Sequence, residues 1–394
     1  MTFSLDALRR WPDLEGPGLL ASDAADRLLL DESAEARAGL SHGDIAVIGD
    51  AYGALTLTAA HETAAICTPA PHSADARRGA SGGAGPAAAA RIRVHQDALT
   101  GERALRANAE RLGLDAFVSL PLTPESVAGA RLVLLRLPRS LDALRDIAGL
   151  IAAHAAPEVV VFAGGRIKHM TVAMNDVLRE RFTTVDVTHA RQKSRVLVAR
   201  GPHDGADPVP ARTTVDGIVV CAFGGAFAGA AIDIGTRFLL AHLPHEIPET
   251  DAAIDLACGT GVVAAALALR HPSLRVYATD QSAAAVASAR ATADANGVAD
   301  RVEVARDDLL AARPDASASF IALNPPFHVG AAVDDRIAPR LFADAARVLR
   351  PGGELWTVWN SPLAYRPALE RIVGPTRQVA RNAKFTVTVS VRGH

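Results

Sequence analysis

Cysteine is scarce in this 394-residue chain: Cys67, Cys221 and Cys258 stand far apart, with no C-x-x-C between them. That excludes a disulfide framework and a cysteine-built zinc site, and no metal is expected. Lysine is equally scarce, at Lys168, Lys193 and Lys384 only, so arginine supplies the remaining positive charge. Together with the abundance of alanine, this reads as a compositional bias of the source genome. Neither sign of charge is in excess: 41 basic residues face 43 acidic ones, for a formal net charge of -2. A surface for nucleic acid must therefore be local. The first residues, Met1-Thr-Phe-Ser-Leu-Asp6, lack the basic stretch and apolar core of a signal peptide. No uninterrupted apolar run is long enough to span a bilayer. These absences predict a soluble, cytoplasmic protein with no membrane partner.

What is present is ample material for cores, 49% hydrophobic and 21% charged, and a length that predicts two or three domains. The chemistry gathers in the second half. Asp255-Leu-Ala-Cys-Gly-Thr-Gly261 follows a short apolar run and precedes Val262–Arg270, a strand, glycine loop and helix in sequence. Gly259 and Gly261 would let the backbone approach a ligand, since a side chain there would collide with it. Alone, such a loop is equally a tight strand-to-helix turn. Asp280 ends the next apolar run, about 20 residues on, where a doubly wound sheet brings a carboxylate to a ribose. Phe320-Ile-Ala-Leu then delivers Asn324-Pro-Pro-Phe327 to the carboxyl end of a fourth strand, the side on which open α/β sheets bind ligands. Asn-Pro and Pro-Pro also mark simple turns. Cys258 is either a nucleophile or a small residue filling the loop.

Glycine loop, spaced acid and Asn-Pro-Pro-Phe in this order resemble the class I S-adenosylmethionine-dependent methyltransferases that methylate exocyclic amino nitrogens. The resemblance runs from about Asp233 to the C-terminus. It implies that Asp255, Gly259 and Gly261 hold the methionine part of S-adenosylmethionine, that Asp280 binds its ribose, and that Asp307, after the third strand, lies near the adenine. It also implies that Asn324, Pro325 and Phe327 hold the target amine, with Pro326 and His328 beside the substrate, though His328 is equally a surface histidine and Asp308 a solvated neighbour.

The first half repeats the plan. Asp44-Ile-Ala-Val-Ile-Gly49 reads as a strand, Asp50–Gly53 as its loop and Ala54–Ala60 as a helix; Ala64-Ala-Ile-Cys67 is expected to be the next strand. Pro71–Ala90, rich in Ala, Gly, Ser and Pro, reads as a loop. Ala104–Leu114 and Leu141–Ala153 read as helices, and Arg131–Arg136 and Glu158–Phe162 as strands, which imply a parallel sheet. Three features are missing: a G-x-G, an acid after the second strand, and Asn-Pro-Pro-Phe, in whose place stands Leu135-Arg-Leu-Pro-Arg139. The turn-rich Gly201–Pro210 reads as a linker. The expected architecture is α/β: two tandem class I methyltransferase (Rossmann-like) domains, residues 1–203 degenerate and 211–394 catalytic. An unrelated α/β domain is the alternative for the first.

This doubled layout, with Phe227, Asp233-Ile-Gly-Thr-Arg-Phe238, Asn324–His328 and Lys384-Phe385, resembles the ribosomal RNA guanine-N2 methyltransferases. Of these, the G type that acts on the large ribosomal particle fits slightly better than the C type that acts on the small one. The resemblance implies methyl transfer to guanine N2 in ribosomal RNA, whether the RNA is free or assembled; no oligomeric state follows from it. Two basic patches are candidate phosphate-binding surfaces or solvated faces: Arg166, Lys168, His169, Arg179, Arg181, Arg191, Lys193 and Arg195, and Arg366, Arg371, Arg377, Arg381, Lys384 and Arg392. Rival readings are N6 of adenine in nucleic acid, a protein glutamine amide, and a non-catalytic RNA-binding assembly protein.

Overall fold

In the computed structural model, residues 3–66, 91–247, 253–326 and 337–393 are described. Cys67, the Pro71–Ala90 stretch, Phe327 and His328 lie outside them. The chain divides into two compact units, Met1–Pro208 and Val209–His394.

The first unit runs α1 (Ala24–Glu32), α2 (Ala34–Arg37), β1 (Ile45–Ile48), α3 (Ala54–Ile66), β2 (Ile92–His95), α4 (Leu99–Leu112), β3 (Phe117–Ser119), β4 (Leu132–Arg136), α5 (Leu141–His154), β5 (Val160–Arg166), α6 (Val172–Arg179), β6 (Phe182–Val187) and β7 (Ser194–Pro202). Its seven-stranded sheet has the order β3-β2-β1-β4-β5-β7-β6. The first five strands are parallel, and β7 runs antiparallel to both its neighbours. Side-chain alternation builds both faces: Ile45, Val47, Leu132 and Leu134 enter one core, Ala46, Ile48, Val133 and Leu135 the other.

The second unit opens with a hairpin, β8 (Ala211–Val215) and β9 (Ile218–Ala222), then α7 (Ile234–Leu240), β10 (Ala253–Leu256), α8 (Val262–Arg270), β11 (Val276–Asp280), α9 (Ala283–Ala295), β12 (Val302–Arg306), β13 (Ala318–Leu323), α10 (Ile337–Val348), β14 (Leu349–Asn360), α11 (Arg366–Ile372), β15 (Thr376–Arg381) and β16 (Phe385–Val391). Its large sheet repeats the first: β12-β11-β10-β13-β14-β16-β15, with β16 antiparallel to its neighbours. The tandem α/β architecture expected from the sequence is the one observed.

Three details depart from the sequence reading. Ala64–Ile66 is the last turn of α3, and the second strand is Ile92–His95; two alanines carry high helix propensity and continue the helix that precedes them. The turn-rich Gly201–Pro210 is not a free linker throughout. β7 extends through Pro202, and the Ala206 N–H donates to Gly149 O of α5 at 3.1 Å. Its last residues lead directly into β8, which a run of exposed polar residues concealed. The β8–β9 turn is Asp216-Gly217, both at positive φ (52° and 80°), as a two-residue hairpin loop requires.

α9 braces β9 with side chains. Ser288, Thr292 and Asn296, four residues apart on one helical face, meet alternate residues of the strand and its extension. The Ser288 hydroxyl accepts from Phe223 N–H at 3.0 Å, and Thr292 Oγ1 accepts from Cys221 N–H at 3.0 Å while donating to Cys221 O. Asn296 accepts from Val219 N–H at 2.9 Å and donates to Val219 O at 2.7 Å. The match arises because one helical turn of four residues rises about 6 Å, close to two residues of strand. Replacing the fully buried Thr292 by the isosteric Val strands both backbone groups of Cys221. Thr292→Val is therefore expected to lower stability by about 1–3 kcal/mol in urea unfolding, with Thr292→Ser retaining most of it.

Candidate active site

Five loops of the second unit meet at the carboxyl edge of its parallel strands. The turn after β10 is shaped by residues in the left-handed region, Ala257 (φ 56°), Gly259 (53°) and Gly261 (72°). The two glycines do different jobs. A β-carbon on Gly259 would meet nothing within 4 Å, so this backbone faces open space. A β-carbon on Gly261 would lie 2.7 Å from Ala289 Cβ, and its N–H already donates to Cys258 O at 2.8 Å. Gly261 thus lets α8 and α9 approach each other. This revises the sequence expectation that both glycines face the ligand; spacing alone cannot tell an open face from a packed one.

Asp280 ties the loops together. One carboxylate oxygen accepts from Gly259 N–H at 3.0 Å, the other from Ser282 N–H at 2.9 Å, and its carbonyl accepts from Asp307 N–H at 3.1 Å. Asp307 is buried, its oxygens accepting from the N–H groups of Asp308 and Ala312, which folds the loop after β12.

Asp255 is fully buried and accepts from Ala264 N–H at 2.9 Å. Burial, with a contribution from Asp280, pushes its carboxyl up to about 7. No cation among the described residues pairs with it. Burial, then Asp255 and Asp280, likewise raise the Cys258 thiol well above its ordinary range, so Cys258 is a small buried filler of the turn and not an activated nucleophile.

Asn324 stands at the end of β13, followed by the buried Pro325 and the exposed Pro326. Its amide nitrogen donates to Asp233 Oδ2 at 3.2 Å and to Thr236 Oγ1 at 2.9 Å. Its amide oxygen is buried and has no partner among the described residues. Asp233 is also the N-cap of α7, accepting from the N–H groups of Gly235 and Thr236. The contacts to Asp233 and Thr236 span 91 and 88 residues of sequence. The one local signal for them was an N-cap aspartate opening a helix.

The basic patches divide. In the first unit Arg166 ends β5, Lys168 and His169 form the turn after it, and Arg195 pairs with Gly165 at the start of β7, beside Lys193. These lie at the carboxyl edge. Arg166 Nε and Arg195 Nε are buried there without partners among the described residues. Burial first, then Arg139, Lys168 and Arg166, lower the His169 pKa. Arg179 pairs with Asp176 and Arg181 bonds Asp204 O, both at the opposite edge, while Arg191 pairs with Asp31. In the second unit Lys384 lies at the carboxyl edge, its ammonium 5.6 Å from the Phe385 ring centre, and Arg392 lies at the amino edge, where its carbonyl accepts from Gly352 N–H. Sequence neighbours separate because strands carry residues the length of the sheet.

The first unit shows what became of its own edge. Ile48 pairs with His95 as Leu256 pairs with Thr279, so Gln96 stands where Asp280 does. Its amide oxygen accepts from Ala98 N–H, the bond Asp280 makes to Ser282. The acid is absent, as expected, though at a different residue from the one the misplaced strand suggested. Arg136 takes Asn324's position, because Leu135 pairs with Ile48 as Leu323 does with Leu256. Arg136 binds Asp23, the N-cap of α1, at 3.0 Å, and Asp26 at 2.9 Å. Burial works against its charge, but Asp26, Asp23 and the buried Asp50 outweigh it and raise its pKa. Among the described residues no group of three His, Cys, Asp or Glu could hold a metal ion, and no helix is long and apolar enough to cross a membrane.

Comparison with known proteins matches both halves. A methyltransferase small domain covers residues 217–389, and an RLMG N-terminal domain covers residues 2–78 and 84–203. The ribosomal RNA large subunit methyltransferase G of Streptomyces coelicolor is 34% identical over 98% of this chain and 97% of its own length. That of Pseudomonas paraeruginosa is 33% identical over 97% and 96%. Among solved structures, the T. thermophilus 16S rRNA N2 G1207 methyltransferase RsmC, in complex with AdoMet and guanosine, aligns with a TM-score of 0.69 over 96% of this chain and 97% of that one, at 20% identity. At that identity the likeness is one of fold.

The raised carboxyl of Asp255 has a measurable sign. The folded protein holds this proton more tightly than the unfolded chain, whose value is 3.8. Stability from this group is complete below the unfolded value and is lost as pH rises from about 4 to about 7. The loss is of order 4 kcal/mol. Asp26, pushed up to about 6 by burial, acts in the same direction. Asp255→Asn retains the Ala264 hydrogen bond and is expected to shrink the fall in unfolding free energy between pH 5 and pH 8, measured by chemical denaturation.

Proposed function

Since the chain belongs to the ribosomal RNA large subunit methyltransferase G family, we propose that the carboxyl edge of its second unit is where it transfers methyl from S-adenosylmethionine to the exocyclic N2 of a guanine in ribosomal RNA. The observation that carries this reading is the Asn324 amide oxygen, a buried acceptor without a partner among the described residues, on the sheet edge that also bears the glycine turn and Asp280. An amine is the group such an acceptor suits, because both hydrogens of the planar N2 amine are donors.

The residues present fit the cofactor. Gly259 faces open space, and Asp255 is a buried carboxyl with no cation of its own. Asp255, Gly259, Asp280 and Asp307 would hold it, Asp280 at the ribose hydroxyls and Asp307 near the adenine. The cofactor's sulfonium supplies a methyl already activated for transfer, so the protein need not build a nucleophile and its contribution is position and orientation. Asn324 Oδ1 and the Pro325 carbonyl accept the two N2 hydrogens. That draws the nitrogen from planar toward tetrahedral and frees its lone pair from the ring. Proline at 325 has no N–H to compete and fixes the backbone. A paired guanine must first leave its stack, at a cost of a few kcal/mol, and a base swung out of its helix presents the N2 edge to such acceptors.

The first unit serves RNA affinity and not chemistry. Arg136 fills the position of Asn324 and is paired with Asp23 and Asp26, while Arg166 and Lys168, on the same carboxyl edge, make no ion pair with a described residue. Lys384 is a phosphate contact in the second unit. A cytoplasmic place of action follows for a chain whose relatives are bacterial ribosomal RNA methyltransferases.

Asn324→Ala is expected to slow single-turnover methylation of ribosomal RNA by about 100-fold or more, as for the loss of one oriented transition-state contact. Calorimetric S-adenosylmethionine affinity stays near wild type. A wild-type rate would reduce Asn-Pro-Pro to a turn. Replacing Arg166 and Lys168 together by Ala is expected to weaken RNA binding and to lower the slope of log K against log salt by about 1.5, near 0.7–0.9 for each phosphate contact. Cofactor affinity is untouched. An unchanged slope would assign both side chains to a solvated face.

A further inference from the structure

The Asn324 amide has two possible orientations, and only one is useful to an amine. Its oxygen accepts; its nitrogen donates, and a donor turned toward the N2 amine would oppose it. We infer that Asp233 and Thr236 are positioning residues that fix this orientation, holding the amide nitrogen so that the oxygen is the atom presented to the target amine. The inference deepens the reading of Asn324 given above and rests on it.

The argument is one of donor and acceptor inventory. A carboxylate only accepts, so the group facing Asp233 Oδ2 at 3.2 Å must be the NH2 of Asn324. Turning the amide over would set its oxygen against the carboxylate oxygen, two acceptors in contact. Thr236 Oγ1, at 2.9 Å, takes the second hydrogen of the same NH2. Both donors are thereby engaged, and the oxygen is left buried with no partner among the described residues. The holders are themselves held. Asp233 Oδ2 accepts from Gly235 N–H at 2.9 Å and from Thr236 N–H at 3.2 Å. Gly235 lies where a β-carbon would come within 3.0 Å of that same carboxylate oxygen and 3.2 Å of the buried Phe385 ring. The start of α7 is therefore wedged between β16 and the end of β13, and its cap is shared between a helix and an amide.

The first unit supports the assignment from the other side. Its equivalent cap, Asp23, also reaches the residue at the end of the fourth strand, but that residue is Arg136, a side chain with donors only. The acidic cap is kept, while the presented acceptor is gone.

The test compares Thr236→Val, Thr236→Ser and Asp233→Asn with the wild type. Each is measured for single-turnover rate, KM for ribosomal RNA from cells lacking this protein, and calorimetric affinity for S-adenosylmethionine. Asn at 233 keeps the helix cap but carries both a donor and an acceptor, so it no longer dictates which end of Asn324 faces it. Thr236→Val and Asp233→Asn are expected to cut the rate at saturating RNA by about tenfold, as for a lost buried hydrogen bond. KM and cofactor affinity stay within about twofold, and Thr236→Ser recovers the rate. In the Asn324→Ala background Thr236→Val should cost nothing further, because it acts only through that amide. A wild-type rate for both Thr236→Val and Asp233→Asn, or a full additional loss on top of Asn324→Ala, overturns the positioning role. A wild-type rate for Asn324→Ala itself overturns the functional reading instead, so the two failures are distinct.

Discussion

The Asp280 carboxylate is the fastening on which the second unit's carboxyl edge depends. Its two oxygens reach the glycine turn and the start of α9, and its carbonyl takes the N–H of Asp307. Three crossings of the sheet are thus referred to one residue. The first unit shows how much of this requires charge. Gln96, in the same place, makes the corresponding bond to Ala98 with a neutral amide, and the turn forms as well. What Asp280 adds to that bond is a negative charge. It is the kind of charge a ligand with paired hydroxyls would use, since a hydrogen bond to an ionised acceptor is roughly twice as strong as a neutral one.

Much of this was legible in the chain. Strands with continuous apolar runs, and glycines at strand ends such as Gly49, placed most elements within a few residues. The order of glycine loop, acid and Asn-Pro-Pro gave the edge where they meet. What sequence withheld was contact across long separations. Nothing local tells that Gly259 is open while Gly261 is packed on Ala289, since both are glycines in a G-x-G. Nothing local ties Asn324 to an aspartate 91 residues earlier. The second strand was misplaced because an alanine-rich helix end reads like a short buried strand, and that error moved the comparison of the two halves from Gln96 to the wrong residue. The conclusion survived because neither position holds an acid.

The brace on β9 was hidden for another reason. Ser288, Thr292 and Asn296 each look like a weak helix former on a solvated face. Only their shared spacing of four residues gives them meaning, and only opposite a strand. They act as a substitute strand, satisfying backbone groups at an edge that would otherwise invite pairing with another chain. The segment that leads from β9 to Asp233 therefore starts from a fixed point, and the cap on which Asn324 leans inherits that fixity.

Each unit buries an acid beneath the helix that follows the first parallel strand of its large sheet, Asp50 in one and Asp255 in the other, and they differ in where the opposite charge is found. Asp50 lies in the field of Arg136, a cation written into the same polypeptide. Asp255 has no such companion. One half of the molecule is electrically self-sufficient; the other is provisioned from outside, by whatever positive ligand it binds. By linkage, a cationic ligand that binds the folded second unit stabilises it by an amount that grows with the free concentration of that ligand, so occupancy and foldedness of this half are two readings of one equilibrium.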